Sequence, residues 1–239
     1  MKNITIVGNG KFGSVIKNIL SRHTRCNINT IDRHTHNQQE QEDHIEAADI
    51  IVVAVPLKYF KDCILEISKK IKPNQIIIEV CSTSVYPKKI MLDILPEGVN
   101  IIGSHPMFGP QTLKYNNNKI NGLNMVIENI RCDQKSYALI TEKLSLIGLH
   151  VVDMDADTHD RYAAKFHFLA QLVGNGLSSI GLEKTPIDTV SYAFLFNFME
   201  RLDPDLKLLQ MMYTYNPYCK KYLQEYTENI ISISQNLQK

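Results

Sequence analysis

The sequence predicts an α/β protein with a Rossmann-like, doubly wound and mainly parallel sheet, followed by an all-helical C-terminal part. Short apolar, β-branched segments alternate with helical patterns through the first 155 residues, as in sheets built from strand–helix–strand units. From residue 156 onward the pattern is helical only and is punctuated by Pro204 and Pro217. We therefore expect two domains, residues 1–155 and 156–239.

Composition narrows the class of protein. The chain has 239 residues, a net charge of +1, 44% hydrophobic and 21% charged residues, which is typical of a soluble globular protein and favours no nucleic-acid partner. Its five cysteines form no C-x-x-C pair, so we expect neither a disulfide framework nor a metal site. No apolar run approaches the roughly 20 residues that span a bilayer, and residues 1–3 lead straight into a strand pattern. We expect no membrane partner and a cytoplasmic location.

The first strand pattern, residues 4–7, runs directly into the glycine motif G-N-G-K-F-G, and a helical pattern follows. In this context the first glycine allows a tight turn, the second lets the backbone approach a pyrophosphate, and the third lets the helix pack on the strand. The helix N-terminus offers N–H groups and a partial positive charge to the phosphates. The predicted cofactor contacts of this motif are Gly8, Gly10, Lys11, Phe12 and Gly13.

The second strand pattern, residues 27–31, ends at Asp32, which lies 19 residues after Gly13. An acidic residue at about this spacing binds the ribose 2′-hydroxyl and repels a 2′-phosphate, so the sequence favours NAD. The adjacent Arg33 could instead bind that phosphate, which leaves NADP as the alternative. Asp32 could also be a turn residue that only caps the strand.

Residues 34–46 are polar, and we interpret them as a solvated loop; their three histidines lack a closed set of metal ligands. Further strand patterns cover residues 47–55, 75–80 and 99–102, with helical patterns between them. Strands at 123–127 and 150–152, flanking a helix at 134–146, complete the sheet. Ligands of such sheets collect at the carboxyl ends of the strands. The residues expected there, besides the glycine motif and Asp32, are Val55, Pro56, Ser82 and His105.

The fifth strand pattern delivers the segment G-S-H-P-M-F-G-P, residues 103–110. Proline fixes φ and glycine permits conformations that other residues avoid, so we expect His105 on a stiff turn at the end of that strand. An imidazole held in this way is suited to act as a base.

The sequence resembles the prephenate/arogenate dehydrogenase family, and the plant-type arogenate dehydrogenases most closely. The motifs that carry the resemblance are G-N-G-K-F-G at 8–13, G-S-H-P-M-F-G-P at 103–110, T-H-D-R-Y-A-A at 158–164, T-P-I-D-T at 185–189 and M-E-R-L-D at 199–203. The resemblance implies an NAD(P)-dependent oxidative decarboxylation of a small cyclohexadienol acid. In it His105 is the base, Ser82 orients the imidazole, and the C-terminal helices form a homodimer. From the residues alone Ser82 could equally be a strand-end cap.

A long helix is predicted from His159 to about residue 180, with Asp157 or Thr158 as its cap. The residues at four-residue spacing along one face are His159, Ala163, His167, Gln171 and Asn175. This polar stripe lines either the substrate site or a helix–helix hydrogen-bonded contact in a dimer. The expected substrate contacts are His159, His167, Gln171 and, after the His105 turn, Thr112.

The sequence departs from the family pattern in three respects. Gln171 stands where the family has a histidine, Ser84 where it commonly has a lysine, and no arginine follows Arg201. The cations that remain as candidate partners of a diacid are Arg161, Lys165, Lys184 and Arg201. The plant-type resemblance and the shortage of arginines favour arogenate over the more anionic prephenate. The departures keep two alternatives open: a dehydrogenase of the same fold acting on a related cyclohexadienyl or other small acid, and a dinucleotide-binding pseudoenzyme.

Overall fold

The computed structural model describes residues 1–202 and 204–239, and the chain divides into two compact units, Met1–Ala156 and Asp157–Lys239. Asp203, the last residue of the M-E-R-L-D motif, lies outside the described residues.

The first unit is built on one seven-stranded sheet with the strand order β2-β1-β3-β4-β5-β6-β7. Every neighbouring pair is parallel except β5 and β6, which are antiparallel. The strands are β1 Asn3–Val7, β2 Asn27–Ile31, β3 Ile50–Val53, β4 Ile76–Glu79, β5 Asn100–Pro106, β6 Asn124–Arg131 and β7 His150–Asp153. The predicted Rossmann-like, mainly parallel fold followed by helices is confirmed.

Helices connect these strands and make up the second unit. The helices up to β7 are α1 Lys11–His23, α2 Gln38–Ala47, α3 Phe60–Ser68, α4 Val85–Ile94, α5 Pro110–Tyr115 and α6 Gln134–Leu146, with a 3₁₀ turn at Leu57–Tyr59. After β7 come α7 Ala156–Ala163, α8 Leu169–Ser179, α9 Val190–Leu202, α10 Leu206–Tyr215 and α11 Cys219–Leu237. Among the residues described here, no helix combines the length and apolarity needed to cross a membrane.

The polar segment 34–46 is not a loop, as the sequence suggested, because most of it forms α2. Asn37 and Glu40 form a capping box: the Glu40 N–H donates to Asn37 Oδ1 at 3.0 Å, and the Asn37 N–H donates to Glu40 Oε2 at 2.8 Å. This N-x-x-E signature predicts a helix start. Hydrophobic periodicity does not reveal this helix, because α2 buries only Ile45 and therefore has no apolar stripe.

The helix predicted from His159 begins earlier, at Ala156, and is not regular. Residues Ala164–Phe168 form a π-helical segment between α7 and α8. A π-helical turn closes with one residue more than an α-helical turn, so it rotates the residues after it relative to those before. The four-residue spacing from His159 to Asn175 therefore does not describe a single straight face.

Isoleucines of the central strands form the core of the first unit. Ile51, Ile77 and Ile101 are fully buried on three neighbouring strands, in register with one another. Deep burial of this kind, rather than the exposed ends of the helices, sets the stability of the unit.

We expect Ile101→Ala to lower the free energy of unfolding by about 2–5 kcal/mol, because it leaves a cavity between packed strands. Urea denaturation followed by circular dichroism measures this loss. Leu139→Ala, at a side chain that is 53% exposed on α6, is the control and should cost less than about 1 kcal/mol. Equal losses in the two variants would contradict the assignment of the core.

Candidate active site

At two positions of the glycine turn, Gly8 and Gly13, neighbouring backbone atoms leave no room for a side chain. Gly8 has φ of +113°, and its N–H donates to the Ile31 carbonyl at 2.8 Å. A Cβ on Gly8 would lie 2.5 Å from the Ala54 carbonyl oxygen, and a Cβ on Gly13 would lie 2.0 Å from the Gly8 carbonyl oxygen. Both glycines are required for α1 to start where it does.

Gly10, in contrast, faces open space. It is the N-cap residue of α1, and a Cβ built there meets no other atom within 4 Å. Lys11 and Phe12 begin the helix; Lys11 is exposed, while the Phe12 side chain packs against the core. The N–H groups of this first turn therefore border open space, where a phosphate could accept hydrogen bonds from them.

Asp32 lies directly beside the glycine turn. Its Oδ2 accepts a hydrogen bond from the Asn9 N–H at 3.3 Å, and its Oδ1 accepts one from the His34 N–H at 2.9 Å. The His34 N–H, and then that of Asn9, hold the pKa of the carboxyl below its usual range. Asp32 is thus an ionised acceptor next to the turn. A ribose hydroxyl could donate to it, and the role of Asp32 in cofactor binding stays a prediction.

Two cations surround one aromatic ring near Asp32. The Arg33 guanidinium carbon lies 4.3 Å from the Tyr59 ring centroid, and Lys58 Nζ lies 4.5 Å from it. Hydrogen bonds from Lys58, and then from Arg33, lower the pKa of Tyr59. These are the positive charges that a 2′-phosphate would need.

The two other predicted cofactor residues follow β3. The Val55 Cγ1 atom lies 3.3 Å from the position of a Cβ on Gly8, so it lines the glycine turn. Pro56 precedes the 3₁₀ turn, and its carbonyl accepts the Tyr59 N–H at 2.8 Å. The structure therefore brings the glycine motif, Asp32 and Val55 to one edge of the sheet.

His105 does not lie on a turn after the strand, as predicted, but within β5, where it is only 7% exposed. Its backbone is in register with Val126 of β6, and Pro106 with Met125. Antiparallel pairing with β6 thus continues β5 through the segment that proline and glycine suggested was a turn. A β-strand is a more rigid support for an imidazole than a turn would be.

Ser82 is half-buried in the segment that joins β4 to α4. Because β4 and β5 are parallel neighbours, this segment follows the carboxyl end of the strand beside that of His105. Ser84, at the position where the family commonly has a lysine, is the buried N-cap residue of α4. The orienting contact from Ser82 to His105 stays a prediction.

The sequence reasoning missed Glu79, the last residue of β4, which is 1% exposed. Its Oε2 accepts the Cys81 N–H at 2.7 Å, and its Oε1 accepts the Ser104 N–H at 3.1 Å. Ser104 Oγ in turn donates to the Glu79 carbonyl at 2.6 Å. The available signal was an acidic residue inside the otherwise apolar run I-I-I-E-V, because a buried carboxylate requires partners.

Thr112 lies in the first turn of α5. The Gly109 N–H approaches its Oγ1 at 3.5 Å, so the side chain helps to start this helix. A contact between Thr112 and a substrate stays a prediction.

In the second unit, His159 and Asp160 form a buried pair. His159 Nδ1 lies 2.9 Å from Asp160 Oδ1, and Asn216 Nδ2 donates to the Asp160 carbonyl at 2.8 Å. Burial, and then the charge of nearby His159, lower the pKa of His167. His167 is thus favoured as a neutral imidazole close to His159.

The side-chain amide of Gln171 forms hydrogen bonds with backbone groups of its own unit. Its Oε1 accepts the Asp205 N–H at 3.1 Å, its Nε2 donates to the Leu202 carbonyl at 3.4 Å, and the residue is 2% exposed. These contacts favour the helix–helix alternative for this position, within one chain. A contact between Gln171 and a substrate stays a prediction.

Of the candidate cations, Arg161 pairs with Asp157 of its own helix, and its guanidinium carbon lies 5.7 Å from the Tyr218 ring centroid. Within the described ranges, no group of three or more His, Cys, Asp or Glu residues is placed to hold a metal ion.

The fold, the glycine turn and the ionised Asp32 define a dinucleotide-binding protein of the Rossmann type. Residues 16–127 match the family model described as "Prephenate dehydrogenase, nucleotide-binding domain". This match lies within the nucleotide-binding unit and supports the resemblance to the prephenate/arogenate dehydrogenase family. The cofactor class is NAD(P).

Two relatives from Arabidopsis thaliana match this chain. Arogenate dehydrogenase 2, chloroplastic, is 24% identical over 98% of this chain and 69% of its own length. Arogenate dehydrogenase 1, chloroplastic, is 30% identical over 66% of this chain, which spans only 25% of that relative.

Two solved structures share the fold. Prephenate dehydrogenase from Aquifex aeolicus, in complex with hydroxyphenyl propionate and NAD+, has a TM-score of 0.75 at 16% identity and covers 99% of this chain and 91% of its own. Arogenate dehydrogenase from Synechocystis has a TM-score of 0.70 at 18% identity and covers 99% of this chain and 93% of its own. At these identities the structures establish the fold alone.

We expect Gly10→Val to weaken NADH binding at least about ten-fold while the protein stays folded, because the added side chain enters the open space before α1. Gly13→Ala is the matched variant and should instead lower the melting temperature by several degrees, because its Cβ meets the Gly8 carbonyl. Fluorescence titration with NADH and thermal melts measure the two effects. Unchanged NADH affinity in Gly10→Val would place the cofactor elsewhere.

Proposed function

We propose that this protein is an NAD(P)-dependent dehydrogenase that oxidatively decarboxylates arogenate or prephenate in tyrosine biosynthesis. The observation that carries the proposal is the strand order. The strands β1, β3, β4 and β5 are consecutive and parallel. The glycine turn, Val55, Ser82 and His105 follow or end these strands at one edge of the sheet. A nicotinamide cofactor bound at the glycine turn would extend along this edge.

In this mechanism the protein positions the substrate and removes one proton. The bound nicotinamide would accept the hydride from C4 of the cyclohexadienol ring. His105 takes the proton of the 4-hydroxyl group, which raises the electron density that expels the hydride. The ring carboxylate leaves as CO2, its bonding electrons enter the ring, and the resulting phenolate oxygen takes the proton back from His105, so the product is a phenol. Burial of His105 keeps its imidazole in one orientation for this transfer.

We propose NAD as the preferred cofactor and arogenate as the preferred substrate. The ionised Asp32 supports NAD, whereas Arg33 and Lys58 keep NADP as the alternative. Arg161 already pairs with Asp157, which leaves Lys165, Lys184 and Arg201 as the candidate partners of a second carboxylate. Arogenate carries one net negative charge less than prephenate, so it needs fewer cationic partners.

The predicted homodimer and cytoplasmic location belong to this proposal. None of the residues of α9 is buried, although Phe194, Leu195 and Phe198 lie on it and Phe194 is 70% exposed. A second copy packing on α9 would remove this apolar surface from water, which supports a homodimer through the C-terminal helices. The relatives from Arabidopsis thaliana are named as chloroplastic.

The departures at Gln171 and Ser84 keep the two alternatives in view: a related cyclohexadienyl or small acid as substrate, and a dinucleotide-binding pseudoenzyme. Steady-state NAD reduction with arogenate and with prephenate separates them. Binding of NAD without turnover on either substrate would favour the pseudoenzyme. Turnover on another acid alone would favour the related dehydrogenase.

We expect His105→Ala to lower kcat by at least about 100-fold, because general-base catalysis contributes roughly 10²–10⁴. NAD reduction with arogenate measures it, and NADH affinity should stay within about two-fold of wild type. In the wild-type enzyme kcat should fall as the pH is lowered, because a protonated imidazole cannot accept the hydroxyl proton. Retention of wild-type kcat in His105→Ala would rule out this base.

We expect Asp32→Ser to weaken NAD binding about ten-fold and to strengthen NADP binding, because it removes the carboxylate that repels a 2′-phosphate beside Arg33. Separate titrations with NADH and NADPH measure the two affinities. Asp43→Ser, an exposed carboxylate on α2, is the charge-matched control and should change neither. Tighter binding of NADP than NAD by the wild type would reverse the assigned preference.

A further inference from the structure

We propose that Glu79 is a positioning residue for this reaction: its buried carboxylate fixes the segment that carries Ser82 against the strand that presents His105. The inference rests on the proposed function. It starts from the point at which the backbone ladder between β4 and β5 stops.

The last backbone pair in register between these strands is Ile78 with Ile102. β5 continues for four more residues, to Pro106, whereas β4 ends at Glu79. Beyond the ladder, the Ser104 N–H donates to the Glu79 side chain at 3.1 Å, and the Ser104 hydroxyl donates to the Glu79 carbonyl at 2.6 Å. Side-chain groups therefore continue the contact between the two strands up to the residue before His105.

The same carboxylate also binds the other segment. Its second oxygen accepts the Cys81 N–H at 2.7 Å, one residue before Ser82. This hydrogen bond is shielded from water because Glu79 is 1% exposed, and the low local dielectric strengthens it. A single buried group thus sets the spacing between the backbones of Ser82 and His105.

Protein atoms surround the Glu79 side chain closely. A Cβ on Gly103 would lie 3.5 Å from Glu79 Oε1, which is an ordinary contact, and 3.0 Å from Ile130 Cδ1, which would have to shift. A cavity of about 10 Å³ beside it is lined by Ser84 and Glu128 and has space for at most one water molecule. Glu79 is therefore surrounded by protein atoms and nearly closed off from water.

The test compares Glu79→Gln with Glu128→Gln. The glutamine at 79 keeps the shape but directs an NH2 group at one of the two backbone N–H donors, so one contact becomes repulsive. Glu128 lines the same cavity but pairs with Lys88 at 2.5 Å and accepts the Ala156 N–H at 3.2 Å. It is the matched control because these contacts involve neither Ser82 nor His105.

We expect Glu79→Gln to lower kcat about 10-fold to 100-fold, with the KM values for NAD and arogenate within about two-fold of wild type. Glu128→Gln should keep the wild-type kcat, even if it lowers the melting temperature as much as Glu79→Gln does. A merely structural role predicts equal changes in the two variants at equal loss of stability. That result, or a fall in affinity alone, would overturn the proposal.

A second readout is independent of turnover. In ¹H–¹⁵N spectra, Glu79→Gln should speed amide exchange at Cys81 and Ser104 and shift the His105 imidazole resonances, and Glu128→Gln should do neither. If the wild-type protein turns over neither arogenate nor prephenate, the proposed function fails and these spectra alone decide the role of Glu79. Unchanged His105 resonances in Glu79→Gln would refute the positioning role.

Discussion

The candidate site depends on the antiparallel pairing of β6 with β5. The parallel strands β3 and β4 have four residues each, whereas β5 has seven. A strand that extends beyond its neighbour on one side needs hydrogen bonds on the other side. β6 supplies them by pairing with β5 as far as Pro106. His105 therefore stands on backbone held from the β6 side, while Glu79 completes the β4 side. The rigidity required of His105 in its proposed role as base follows from this arrangement.

The cofactor end of the sheet is governed by close packing instead. Gly8, Gly13 and Ala54 approach so closely that the turn and the start of α1 have a single arrangement. Gly10 alone is left open, at the point where the N–H groups of the first helical turn are free of a side-chain cap. The same turn thus combines two positions that exclude side chains for structural reasons with one that leaves room for a ligand.

The sheet and much of its edge could be predicted from the sequence, because buried strands leave long apolar runs and the glycine motif falls between a strand and a helix. The helix α2 could not be recognised from periodicity, since it buries only Ile45. β5 extends to Pro106 because it pairs with β6, about 20 residues later in the chain. The proline and glycine residues near His105 predicted a turn there instead. Glu79 was missed because its partners are backbone groups, which a sequence does not display.

Gln171 shows how a departure from a family pattern is to be interpreted. A substrate-binding histidine can be cationic, whereas glutamine offers one acceptor and one donor group. Here both face backbone groups at Leu202 and Asp205, at the end of α9 and the start of α10. Returning histidine to this position would break two contacts before it could bind an anion. The loss of the cation is therefore built into the packing of the second unit. This packing supports the proposed preference for a substrate with less negative charge.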